Sequence, residues 1–169
     1  MLAVALATPS NAGVLTGPIT SPVNGHVYYL LECDTWTVSE AEAVTLGGHL
    51  ATVRNAAEHD WLCARFSKFG GTPRVLWIGL SDDGHEGVFA WTSGEPVIFD
   101  RWERGQPDDA RGVEHYVGIW PPGPRASGQW NDWPDDRSTG SGIGVPFHAT
   151  MHGVVEIVAA PSACNAGDQ

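Results

Sequence analysis

The stretch GQPDDARGVEH, residues 105–115, places Pro107 between an amide, Gln106, and a carboxylate, Asp108. Short polar runs rich in glycine and proline are usually turns exposed to solvent. Such a run indicates a binding site only when it has chemical partners elsewhere in the chain. The stretch GQWNDW, residues 128–133, offers those partners, because it adds a second side-chain amide and a further carboxylate.

The two stretches together contain the oxygen donors that calcium prefers. Calcium takes about six to eight oxygen ligands from carboxylates, amides and backbone carbonyls. The candidate ligands are Gln106, Asp108, Glu114, Asn131 and Asp132. With one backbone carbonyl they would supply about six ligands, which leaves about two positions for outside oxygens such as sugar hydroxyls. The alternative is an ordinary turn followed by an Asx turn at residues 131–132.

The charge balance excludes some classes of partner. Nine Lys and Arg against twenty Asp and Glu give a net charge of −11. Nucleic acids and anionic membranes are therefore disfavoured, because binding to phosphate needs a basic surface. A cation is a compatible partner. No stretch approaches the roughly 18–20 apolar residues of a membrane span.

The two ends of the chain differ from its middle. The opening MLAVALATPSNAG resembles the apolar part of an export signal, although the basic segment of such signals is missing. It predicts a secreted or periplasmic protein; the alternative is a leader without a targeting role. We expect a leader at residues 1–14, one folded domain at 15–158 and a flexible tail at 159–169.

The middle of the chain begins with a strand and two helices. Residues 26–31, HVYYLL, predict a strand. A capping box at Thr37 to Glu40 predicts a short helix that ends before Gly47-Gly48. Asn55 is expected to cap a second helix that runs to about Phe69.

Short strands and a long loop follow the helices. The predicted strands are residues 75–80, 88–92, 116–120 and 153–158. Residues 93–130 are expected to be mostly loop. Because the strands do not alternate regularly with helices, the order of elements predicts an α+β fold.

Several segments together resemble the C-type lectin-like domain. The segments are YYLL to LGGHLATV (28–53), WIGL (77–80), EGVFAW (86–91), GQPDD (105–109) and WND (130–132). The resemblance covers roughly residues 26–158. It implies two helices flanking antiparallel sheets, with HVYYLL paired to GVVEIV and a long loop region that binds calcium and ligand.

The resemblance also implies roles for the site residues. A calcium ion would be held by Gln106, Asp108, Glu114, Asn131 and Asp132, and sugar hydroxyls would coordinate it directly. The Gln106–Pro107 bond would be cis. Gln-Pro-Asp is typical of family members that bind galactose or N-acetylgalactosamine. Strong galactose binders have a Trp at the position of Ala110, so we expect weak binding unless Trp102 or Trp133 substitutes.

A second calcium site is also implied by the resemblance. It would use Asp82, Glu86 and Asp109, together with Glu114. The next residue, often an acid in the family, is His115 here. Imidazole is a poor partner for a hard cation.

The cysteines depart from the family pattern. The chain has Cys33, Cys63 and Cys164, which allow one disulfide at most. The resemblance places the family's two usual disulfides at positions 43 and 155 and at position 116 and a residue near 135. The first three positions carry Ala43, Val155 and Tyr116 here, and neither pair contains a cysteine. This implies that both bridges have been replaced.

These observations predict a calcium-dependent carbohydrate-binding protein. The alternative is a domain of the same fold that binds protein and uses calcium only to stabilise its loops. An enzyme is not expected, since the chain has no GxSxG elbow, glycine-rich phosphate loop or CxxC motif. Because a single shallow sugar site binds weakly, oligomers would supply avidity.

Overall fold

The computed structural model describes residues 13–123, 128–137 and 150–159. Most of the predicted leader, nearly all of the predicted tail and Cys164 lie outside these residues, so the domain boundaries stay predictions. In the described part, no helix is both long and apolar enough to cross a membrane.

The described residues form an α+β fold, as predicted. The strands are Val14–Thr20 (β1), Val27–Cys33 (β2), His49–Leu50 (β3), Val75–Ser81 (β4), Ala90–Trp91 (β5), Tyr116–Ile119 (β6), Trp130–Trp133 (β7) and Met151–Ile157 (β8). The helices are Trp36–Thr45 (α1) and Ala56–Phe66 (α2). Short 3-10 turns lie at Phe69–Gly71 and Ala110–Gly112.

One sheet connects all the strands. Its order is β1-β2-β8-β4-β6-β7, with β3 beside β8 and β5 beside β4. The antiparallel pairing of β2 with β8 confirms the implied contact between HVYYLL and GVVEIV. The sheet is nevertheless mixed, because β4 pairs with β8 in parallel. The helices between β2 and β4 reverse the chain, so β4 and β8 both run antiparallel to β2.

Three strands were not predicted. β3 lies in a segment for which no strand was expected. β1 contains Gly17-Pro18, which is typical of a turn, and its pairing with β2 is irregular at two points. β7 is the WNDW segment, which was expected to supply ligands, with an Asx turn as the alternative. All four of its residues are buried, and it pairs with β6 along its whole length.

The predicted capping box of α1 is wrong. Thr35, not Thr37, is the N-cap, and its hydroxyl accepts a hydrogen bond from the backbone N–H of Val38 at 3.3 Å. The hydroxyl of Thr37 instead bonds to the carboxylate of Asp135. Glu40 accepts from the backbone N–H of Leu50 at 2.8 Å and does not reach the helix start. Thr37 is thus bonded to a residue 98 positions away, while Thr35 caps the helix.

The predicted start of α2 is confirmed. Asn55 accepts a hydrogen bond from the backbone N–H of Glu58 at 3.0 Å. The helix ends at Phe66, three residues before the predicted Phe69. The chain there enters the 3-10 turn, where Gly70 has a φ of 64°.

Apolar side chains pack at positions where the resemblance implies disulfides. Ala43 and Val155 are fully buried in one apolar cluster. Tyr116 packs on Trp36, with 4.7 Å between ring centroids. Cys33 and Cys63 are both free thiols. Ala43, Val155 and Tyr116 are thus packed among buried side chains, whereas Asp135 is exposed and accepts hydrogen bonds from Thr37.

Strand β4 requires a glycine within WIGL. A Cβ on Gly79 would lie 2.4 Å from the carbonyl oxygen of Leu50, which is a backbone atom of β3. We expect Gly79→Ala to lower the free energy of unfolding by about 1–3 kcal/mol, the usual effect of overpacking a core. Urea unfolding measures this loss. Gly84→Ala is the matched control, because a Cβ on Gly84 meets nothing within 4 Å; equal losses in the two variants would contradict the argument.

Candidate functional site

The structure brings the two polar stretches together at β7. Asp132, fully buried on that strand, accepts hydrogen bonds from the backbone N–H groups of Asp108 at 3.3 Å and Asp109 at 2.9 Å. Asp109 in turn accepts from the backbone N–H of Glu114 at 3.1 Å. The loop of residues 105–115 is therefore fixed against the sheet by carboxylate-to-backbone bonds.

Three carboxylates meet at this point. Oxygens of Asp108, Glu114 and Asp132 all lie within 4.8 Å of one another. Burial raises the pKa of Glu114 to about 7; a bond from the Ala110 N–H opposes the rise, and the charges of Asp132 and Asp108 add to it. Burial also raises the pKa of Asp132. A bound cation would relieve this repulsion.

Side-chain amides complete the donor set. Oε1 of Gln106 is buried and has no hydrogen-bond partner among the described residues. The bond from Gln106 to Pro107 is cis, as the resemblance implied. Asn131 donates its amide N–H to the backbone oxygen of Asp132 at 2.6 Å, which leaves its carbonyl oxygen as the atom suited to a cation. Carboxylate and amide oxygens, one of them unpartnered, fit calcium.

A second cluster has a composition that was not predicted. Asp82, Glu86 and His115 place ligand atoms within 4.8 Å of one another. Asp109, which was expected there, is not one of the three. Burial raises the pKa of Glu86 most, and the negative charges of Asp82 and Asp109 raise it further. Glu114 belongs to the first cluster. Successive side chains of an extended segment face opposite sides. This alternation would have assigned Glu114 to the first cluster and His115 to the second, and it is the signal that was missed in the sequence.

Neither tryptophan considered as a substitute for Ala110 is freely exposed. Trp133 is 6% exposed and packs edge-on against Trp77. Trp102 is partly buried against Phe89 and Trp130. Trp133 is therefore a core residue, and Ala110 leaves the site without a ring at the position where the family has one.

Known proteins are similar to this chain in sequence. Residues 32–141 match the model of the Lectin C-type domain. A galactose-specific lectin, nattectin of Thalassophryne nattereri, is 34% identical over 80 residues, 47% of this chain and 50% of that protein. C-type mannose receptor 2 of Homo sapiens is 32% identical over 131 residues, 76% of this chain and 8% of the receptor. The chain thus spans half of the first relative and a small part of the second.

Solved structures show the same similarity. The crystal structure of the C-type lectin CEL-I from Cucumaria echinata superposes with a TM-score of 0.64 at 26% identity, over 78% of this chain and 89% of that one. The family model matches well over half of the 169 residues. Members of this family are generally binding proteins without catalytic activity. The chain belongs to the C-type lectin domain family.

Proposed function

We propose that this protein binds carbohydrate through a calcium ion held by Gln106, Asp108, Glu114, Asn131 and Asp132. One observation supports this most directly: three carboxylates lie within 4.8 Å of one another. In the same loop, the buried amide oxygen of Gln106 has no partner in the described part of the chain. Calcium would supply open coordination positions for vicinal sugar hydroxyls. The protein's amides and carboxylates would hydrogen-bond the same hydroxyls.

The preferred sugars are of the galactose type, including N-acetylgalactosamine. Gln106 and Asp108 place an amide on one side of Pro107 and a carboxylate on the other, and this order sets which side donates and which accepts hydrogen bonds. The similarity to a protein named as a galactose-specific lectin supports the assignment. Because Ala110 offers no ring to the apolar face of galactose, the affinity of one site is weak. Oligomers would supply avidity.

The opening residues and the similarity to lectins of this type support export of the protein from the cell. Extracellular calcium sites bind with dissociation constants of about 10⁻⁴–10⁻³ M. A site of that affinity would be filled outside the cell, which is consistent with the proposed location.

A glycan array probed in calcium and again in chelator tests the proposed function. We expect binding to galactosides in calcium only, and its loss in Asp108→Asn, which removes a ligand charge. Asp100→Asn is the matched control, since Asp100 is exposed in the same loop region and outside both clusters. Calcium binding without binding to any glycan would favour the alternative, a protein-binding domain that calcium stabilises.

The double substitution Gln106→Glu with Asp108→Asn should move the preference toward mannose. It keeps two oxygen donors and one charge at the site but exchanges the amide and the carboxylate across Pro107. We expect the galactose-to-mannose affinity ratio to fall by roughly tenfold or more, equivalent to about 1.4 kcal/mol. Competition of both sugars against an immobilised glycan measures the ratio. A parent protein that already prefers mannose would refute the galactose assignment.

A further inference from the structure

The second cluster is built on two fixed segments. Asp82 directly follows β4, and His115 directly precedes β6. The backbone N–H of Asp82 donates to the carbonyl of His115 at 3.1 Å, and the N–H of His115 donates to the carbonyl of Trp133 at 3.1 Å. Asp82 is 3% exposed, and its Oδ2 accepts from the N–H of Gly87 at 2.9 Å. Its second oxygen, Oδ1, is thereby directed toward the imidazole.

The donor atoms of this cluster do not suit calcium. His115 contributes Nδ1, which lies 3.3 Å from Oδ1 of Asp82 and 3.3 Å from Oε2 of Glu86. Calcium binds six to eight oxygens, whereas imidazole favours zinc and other borderline transition metals. The position of His115 therefore disagrees with a second calcium ion at Asp82 and Glu86.

Two of the three separations between ligand atoms match a tetrahedral zinc site. Ligand atoms held tetrahedrally about 2.0–2.2 Å from zinc are roughly 3.3–3.6 Å apart. The two separations from Nδ1 of His115 are both 3.3 Å. The contact of 3.3 Å between Nδ1 of His115 and Oδ1 of Asp82 is also within hydrogen-bond range, so a protonated imidazole between the two carboxylates is the alternative that the test must separate from a metal ion.

We propose that Asp82, Glu86 and His115 bind a zinc-like divalent ion, separately from the calcium site. The set of one histidine and two carboxylates supplies three ligands and leaves a fourth position for water. The bond from Gly87 to Asp82 acts as an outer contact that orients one ligand. Glu86, with a side chain 57% exposed, is the ligand on the solvent side through which the ion enters.

Calorimetric titration of the full chain with zinc, in millimolar calcium, tests this site. We expect zinc to bind the parent, and to bind His115→Gln and Glu86→Gln at least about tenfold more weakly. Cobalt as a probe should give visible absorption bands that His115→Gln removes. Glu86→Gln changes an exposed side chain, so it tests the site even if His115→Gln fails to fold. His85→Gln is the matched control, because His85 is exposed in the same loop and lies outside the cluster.

The outcomes separate this proposal from the proposed function. Asp108→Asn should abolish the binding of calcium and sugar and leave the zinc affinity unchanged. Equal zinc affinity in His115→Gln and the parent would overturn the zinc site. A second equivalent of calcium that is lost in Glu86→Gln would overturn it as well, since calcium would then occupy the cluster.

Discussion

Calcium should raise the melting temperature of this protein by about 5–10 °C. A ligand at 100 times its dissociation constant stabilises the native state by about 2.7 kcal/mol. Each kcal/mol corresponds to about 2–4 °C for a chain of this length. The physical reason is the repulsion among Asp108, Glu114 and Asp132, whose oxygens are within 4.8 Å of one another. A thermal melt with and without calcium measures the shift.

Variants identify the source of this stabilisation. Asp108→Asn should abolish the calcium shift, because it removes one ligand charge, while Asp100→Asn should keep it. Magnesium should produce a much smaller shift, since it requires octahedral geometry and dehydrates reluctantly. An unchanged melting temperature of the parent in about 100 mM calcium, which is about 100 times the weaker dissociation constant of extracellular sites, would count against any calcium site in the loop of residues 105–115.

Sequence patterns predicted the elements that depend on local chemistry. The Asn55 cap of α2 was predicted because its partner, Glu58, is three residues away. The buried strand WIGL was predicted from its apolar run, and all of its residues are buried. The neighbouring positions of the stretches 105–115 and 128–133 followed from their matching donors, and the structure places Asp132 against the loop.

Elements that depend on distant contacts were predicted wrongly or missed. Thr35 and Thr37 have the same capping hydroxyl, and the bonds of Thr37 to Asp135 are contacts that a local pattern does not contain. Strand β7 has polar side chains in its middle, and a local sequence pattern of this kind is typical of a loop. Asp132 is buried and accepts hydrogen bonds from the backbone N–H groups of Asp108 and Asp109. These partners are 24 and 23 residues away in the chain, so a local pattern does not contain them.

We expect calcium binding to depend on pH near neutrality because of Glu114. Its pKa is raised to about 7 by burial and by the neighbouring carboxylates. Without metal, the folded protein therefore holds a proton between pH 4.5 and 7 that the unfolded chain releases. The contribution of Glu114 to stability falls as the pH rises through this window. In chelator, Glu114→Gln should remove this part of the pH dependence of the melting temperature.

Calcium affinity should show the opposite trend and fall as the pH is lowered. Calcium binds the charged carboxylate, so each calcium must displace the proton of Glu114 below pH 7. One competing proton on a group of pKa about 7 lowers the apparent affinity roughly 20- to 30-fold between pH 7.5 and 5.5. Calorimetric titration at the two pH values measures the ratio. Asp100→Asn should keep the ratio of calcium affinities between the two pH values. Glu114→Gln should bind calcium weakly at both pH values, and the ratio of its two affinities should be much smaller. A parent protein with equal affinity at pH 7.5 and 5.5 would contradict the combination of a raised pKa and calcium coordination at Glu114, because a ligand of that pKa must release its proton to bind the ion.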